Sequence, residues 1–273
     1  MAGLSLALKF DESALSAEPV VRRNRAELPI LSAGRPAPRL RKAAREGWEN
    51  RVRAEYEGMT LARRFHGLSV ELNAPMDIQE LALRMTLQEQ QHARYCMAAA
   101  ASLGSAGLIT FEAARLGAPE GARDPRQAFW EMVCGPYAVS EVAAFRLLSA
   151  SLRMLPPSGY KGILETILED ESLHARIGFL ILSSARLPRR KRRPDWIEAP
   201  SDAWIRAYAS RFIEAGLRRD VIDPAEAALF ADPAGDRALR ALGIPPSEAF
   251  KSAYFDALRK DVPRRFKALG LVL

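Results

Sequence analysis

Cysteine is scarce in this chain of 273 residues, with only Cys96 and Cys134 present. Neither belongs to a C-x-x-C pair, which excludes a zinc knuckle and a dithiol redox motif, and two scattered thiols fit a reducing compartment. No apolar run approaches the length needed to cross a bilayer, so no membrane association is expected. The opening "MAGLSLALKF" lacks a basic start and runs directly into Asp11 and Glu12, which argues against a signal peptide. A soluble, cytoplasmic protein is the expectation. Alternating β-type runs are also missing, and from about Trp48 onward apolar residues recur at intervals of three and four. That period predicts an all-α protein.

Charge of one sign is nearly balanced except at one place. The formal net charge is +7, and the five consecutive basic residues Arg189, Arg190, Lys191, Arg192 and Arg193 account for most of it. A local patch of this kind would attract an acidic partner over short, screened distances.

The breaks in the pattern divide the chain. Residues 1–45, with scattered Arg and the Pro-containing stretch "GRPAPRL", show no sustained period and read as an N-terminal arm. Residues 46–187 carry long helical segments at about 46–68, 76–103, 125–154 and 160–186, separated by Pro75, by Pro156 and Pro157, and closed by Pro188. The longer link between the second and third segments is expected to hold a short helix around "LITFEAARLG". Residues 188–273 read as a basic linker followed by a C-terminal helical extension packed on the bundle. Its helix-start signals are Asp223 before Pro224, Asp232 before Pro233, and Ser247 after a double proline. Trp204, Tyr208, Phe212, Phe250 and Tyr254 are spaced to cover a surface as core.

Histidine is as scarce as cysteine is, yet its distribution is far from even. Of His66, His92 and His174, two follow a glutamate at the same interval, Glu89-x-x-His92 in "LQEQQHARYC" and Glu171-x-x-His174 in "LEDESLHARI". Both pairs fall in the apolar stripe of their helix, which runs Met85, Glu89, His92, Cys96 in one and Ile167, Glu171, His174, Gly178 in the other. The third segment places Glu141 in its stripe and the first places Glu55. Glu57 lies close by, but it points away from Val52 and Met59, so helix geometry favours Glu55. His66 lies about 16 Å along the helix from Glu55 and reads as a packed or polar residue. Tyr95 and Tyr137 either touch the site or fill core, and core is the favoured reading.

Ionised carboxylates in a dry interior are costly unless a positive charge meets them. No Lys or Arg shares these stripes, and a pair of divalent cations would supply the missing charge. One Glu from each of two helices plus Glu-x-x-His from each of the other two is the ligand pattern of di-iron and di-manganese carboxylate bundles. Over roughly residues 46–186 the sequence thus resembles the ferritin-like superfamily, which implies a ferritin-like four-helix bundle.

The resemblance implies that Glu55, Glu89 and His92 serve one metal and Glu141, Glu171 and His174 the other, with Glu89 and Glu171 as bridges. Asp170 resembles the aspartate with which many oxygen-activating members hold the opposing histidine, and would accept a hydrogen bond from His92. The equivalent place on the second segment is Gln88, which leaves the orientation of His174 less well explained. Mixed oxygen and imidazole ligation suits two iron ions, or manganese with iron. The interval from Glu89 to Glu141 is long and resembles desaturases, deformylating oxygenases and amine oxygenases of the superfamily.

The implied activity is that of a non-haem di-iron oxygenase using dioxygen as co-substrate to hydroxylate, desaturate or N-oxygenate a small or carrier-bound organic substrate. Met85, Phe145, Leu148 and Ile167 are candidate pocket residues or plain core. Electrons would come from an acidic donor such as a ferredoxin docked on the basic run, and a homodimer is allowed. The alternatives are a tRNA-modifying di-iron hydroxylase using residues 189–193 on RNA phosphates, and a non-catalytic ferritin-like metal-binding protein.

Overall fold

The computed structural model describes residues 31–105, 108–111, 124–187, 197–218 and 232–273, plus strand 4–7, with backbone alone for 4–7, 108 and 247–250. The described residues are helical apart from one ribbon, in which β1 (Leu4–Ala7) pairs antiparallel with β2 (Leu108–Phe111). Residues 108–111, expected to open a short helix, therefore form a strand. Ile and Thr in "LITF" favour an extended backbone, and β1 supplies the ladder partner. The rest of the expected helix lies outside the described residues, as do Asp223, Pro224 and the basic run 189–193; Phe250 has only its backbone described.

Four long helical segments build the body. They are α1 (Pro38–Glu71), α2 (Met76–Ser102), a composite of α3 (Pro125–Met132), a π-helical stretch (Val133–Ser140) and α4 (Glu141–Met154), and α5 (Gly159–Ala185). The first starts at Pro38, earlier than the expected position near residue 46, because a proline suits the first helical turn and Leu40, Ala44 and Trp48 bury one face. Pro75 ends the turn after α1, where Asn73 takes a left-handed backbone (φ 50) that asparagine tolerates. Ser158 caps α5 by accepting from the Lys161 N–H, and Asp124 caps α3 by accepting from the Arg126 N–H.

Short turns force α1 against α2 and α4 against α5 as antiparallel pairs, and α2 also packs on α5. Gln88 and His92 of α2 meet His174 and Asp170 of α5 in reverse order, so this pair is antiparallel as well. It follows that α2 and the composite helix run in the same direction. The link between them must return along the length of the bundle, and β2 lies on that return.

Within the composite helix, Pro136 lacks the N–H that an α-helix would use. The backbone widens here, and the Glu141 N–H donates to the Pro136 carbonyl, five residues back. Two glycines, Gly178 of α5 and Gly135 within the stretch itself, let its neighbours approach closely. A Cβ on Gly178 of α5 would lie 2.6 Å from the Ala138 backbone nitrogen, and a Cβ on Gly135 would lie 2.8 Å from the Phe212 ring.

Phe212 belongs to α6 (Asp202–Leu217), whose Trp204 and Tyr208 rings stack at 5.1 Å. These aromatics pack partly buried against the main core. Then come α7 (Pro233–Ala241), α8 (Ser247–Asp256), a short π turn (Ala257–Asp261) and α9 (Val262–Ala268). Asp232 caps α7 through the Ala234 N–H, and Ser247 begins α8. The loop after α7 is tied to the body by the buried Trp48 Nε1–H donating to the Leu242 carbonyl at 2.8 Å, and α8 packs on α4.

The apolar interior is split in two. One cluster holds the C-terminal half of α1, the N-terminal half of α2, the π stretch and the C-terminal half of α5. The other holds Trp48, Val52, Cys96, Leu103, Leu152 and Tyr160 from the opposite halves. Between them, at mid-height, lies a polar layer.

Candidate metal centre

The middle layer is where the four helices aim their acidic stripes inward. Glu89, His92, Glu171 and His174 are buried, with both imidazoles fully so. Glu55 and Glu141 reach in from α1 and α4. Acceptor atoms of Glu55, Glu89, His92 and Glu171 lie within 4.8 Å of one another, and those of Glu141, Glu171 and His174 form a second such set. Glu171 is common to both. Glu89 also bridges the two sets, since its Oε1 is 3.1 Å from His174 Nδ1 while its Oε2 is 3.9 Å from His92 Nδ1. The imidazole centroids are 5.9 Å apart.

Glu57 and His66 belong to neither set. Gly58, one turn beyond Glu55, makes room for the cluster, because a Cβ there would lie 2.7 Å from Glu89 Oε2. Met85 and Phe145 border the layer within one apolar cluster, and Leu148 and Ile167 within the other. Tyr137 is buried core and Tyr95 packs against core.

Gln88 has a definite role here. Asp170 is an acceptor only, and it takes a hydrogen bond from the Gln88 side-chain amide through Oδ1 and one from His92 Nε2 at 3.2 Å through Oδ2. With its NH2 directed at Asp170, Gln88 turns its oxygen to His174 Nε2 at 3.1 Å. The second imidazole must then donate as well. One aspartate thus fixes both rings with Nε2–H outward and Nδ1 toward the carboxylates. Gln88 stands next to Glu89 in sequence, but its reach across to α5 becomes visible only with the helices packed.

The electrostatics match an anionic layer in an apolar setting. Burial, opposed by His174 but aided by Glu171 and Glu55, pushes the Glu89 carboxyl up to about 7. Burial and the neighbouring Glu171 and Glu89 hold Glu141 well above the usual carboxylate range. Burial pulls the His92 imidazole down, but Asp170, Glu55 and Glu89 outweigh it and raise it to about 10. The same contest, won by Glu171 and Glu89, raises His174 to about 11. The contact with His92 lowers the Asp170 carboxyl against the opposing pull of its own burial. Some positive species, protons or cations, must balance these groups.

The donor set fits a metal. Three of the buried side-chain atoms without a hydrogen-bond partner are His92 Nδ1, His174 Nδ1 and Glu171 Oε2, all on residues of the two sets. Nδ1 lone pairs on neutral rings and carboxylate oxygens are the ligands of hard to borderline divalent ions. The layer can therefore hold a metal ion, through two overlapping ligand sets that share Glu171.

No helix among the described residues is long and apolar enough to cross a membrane. No protein-family model, curated protein or solved structure matches the chain. The family resemblance of the sequence thus rests on this constellation: a helical body carrying a buried glutamate and histidine cluster with the geometry to bind metal.

Proposed function

We propose that the protein is a ferritin-like, non-haem di-iron oxidoreductase that uses dioxygen to oxidise an organic substrate. The observation that carries the reading is the buried layer of four glutamates and two histidines whose inner nitrogens are bare and whose outer nitrogens are both fixed by one Asp170–Gln88 bridge. The parallel run of α2 and the composite helix adds support, since a single long crossover is the connection of ferritin-like bundles.

In this reading Glu55, Glu89 and His92 would hold one metal and Glu141, Glu171 and His174 the other, and Glu89 and Glu171 would be shared. Two iron ions, or manganese with iron, would supply the reduction of dioxygen and the oxidation of a C–H or N–H bond when bound. The chain's own part is to hold, orient and insulate. Asp170 keeps a proton on His92 Nε2, and Gln88 keeps one on His174 Nε2, so that each ring offers Nδ1. The apolar clusters above and below exclude water from the layer. In the metal-free protein Glu89, its carboxyl pushed up to about 7, can carry a proton near neutrality.

Metal analysis with an oxygen electrode tests the proposal. Two metal ions per chain are expected, with oxygen consumption by the reduced iron-loaded protein that is lost in Glu171→Ala. A chain that takes up no iron or manganese, or whose iron-loaded form consumes no oxygen, overturns it. Gel filtration separates the storage alternative, because a large hollow shell would favour metal storage over oxidation.

A further inference from the structure

One polar atom in the core has no protein partner and is not satisfied by a cation. Besides the three atoms of the metal layer, the Tyr137 hydroxyl is buried without a hydrogen-bond partner among the described residues. A lone pair on Nδ1 or a carboxylate oxygen is satisfied by a positive ion. A phenol O–H is a donor, and it needs an acceptor.

Its position adds to this. Tyr137 stands four residues before Glu141 on the widened helix, and its backbone carbonyl carbon lies 2.7 Å from where a Gly178 Cβ would be, one turn beyond His174. The ring is therefore in the layer adjoining the glutamates, walled on one side by Phe65 at 4.7 Å between centroids. Burial first, and then the charges of Glu141 and Glu89, hold its proton on well above the usual phenol range, so the group stays a donor. A phenylalanine would fill the same space in this apolar cluster without an unsatisfied hydroxyl, which is destabilising in a dry interior.

We infer that the Tyr137 hydroxyl is a binding group for a small anionic ligand held on the Glu89–Glu141 side of the layer, to which it donates a hydrogen bond. This rests on the dimetal reading above, because the anion needs the cations to offset the surrounding carboxylates. The ligand is small because the Tyr137 side chain is fully buried, with Phe65 packed against its ring.

Azide is a suitable probe, titrated into iron-loaded wild type and Tyr137→Phe and followed by its charge-transfer absorption. Equal iron content and about tenfold weaker azide binding in the variant are expected, the loss of one hydrogen bond. Melting of the metal-free proteins gives an independent readout: Tyr137→Phe should melt at the wild-type temperature or above it. Equal azide affinity, no azide uptake by the loaded wild type, or a clearly lower melting temperature of the metal-free variant each overturns the inference. If neither protein takes up iron, the dimetal reading itself fails, and this inference falls with it.

Discussion

At the scale of single residues, the middle layer holds its protons tightly, and cations would have to displace them. Glu89 at about 7, His92 at about 10 and His174 at about 11 all sit above the ordinary values of their side chains. Each binds its proton more tightly in the folded than in the unfolded chain, so each favours the metal-free fold at low pH. The contribution of Glu89 is complete below about 4.3 and gone above about 7, and the imidazole contributions are complete below about 6.5 and lost as pH rises through their folded values. Metal-free protein should therefore melt at a lower temperature at about pH 9 than at about pH 6, whereas metal-loaded protein should show little of this fall. Calorimetry of both forms checks it, and a metal-free melting temperature that rises over this interval would contradict the exchange. At this scale the sequence was informative for a simple reason. Two Glu-x-x-His pairs in apolar stripes are visible without coordinates, and so is Glu55 over Glu57. The resemblance singles out Asp170 and places Gln88 opposite it, but that the Gln88 oxygen meets His174, and that the Tyr137 hydroxyl is left without a partner, becomes visible only with the helices packed.

At the scale of elements, the widened stretch before Glu141 shapes the layer. The extra residue in the π turn rotates everything upstream of it relative to Glu141, compared with a continuous α-helix. The hydrophobic period of the sequence reads straight through this point, since Val133, Cys134, Gly135, Tyr137, Ala138 and Val139 are all buried and a stripe cannot be told from a whole buried turn. The same averaging hides the strand at 108–111, whose pairing partner lies more than a hundred residues away in sequence. Gly178 is what lets α5 approach the widened stretch. Gly178→Ala would put a Cβ 2.6 Å from the Ala138 nitrogen, and the contact is with backbone that cannot swing aside. A loss of about 1–3 kcal/mol is expected from such overpacking, despite the better helix propensity of alanine. Denaturant unfolding of the metal-free variant measures it, and an unchanged or raised midpoint would show that the helices are not held this closely.

At the scale of the whole molecule, the elements fall into two helical hairpins around the layer. The first, α1 with α2, brings Glu55, Glu89 and His92; the second, α4 with α5, brings Glu141, Glu171 and His174. Each half contributes two carboxylates and one imidazole, and Asp170 and Gln88 join them across the seam. The helix directions follow from turn lengths that the sequence displays, but the same-way run of α2 and the composite helix follows only from their contacts with α5. That crossover joins one hairpin to the other covalently. A chain severed between residues 112 and 123 would yield two fragments, each with half of the ligands, and the cations would act as rivets. Reassembly of the co-purified fragments should need iron or manganese and should reverse with a chelator, read by size-exclusion chromatography; fragments that stay together after chelation would show that apolar packing alone is the fastener.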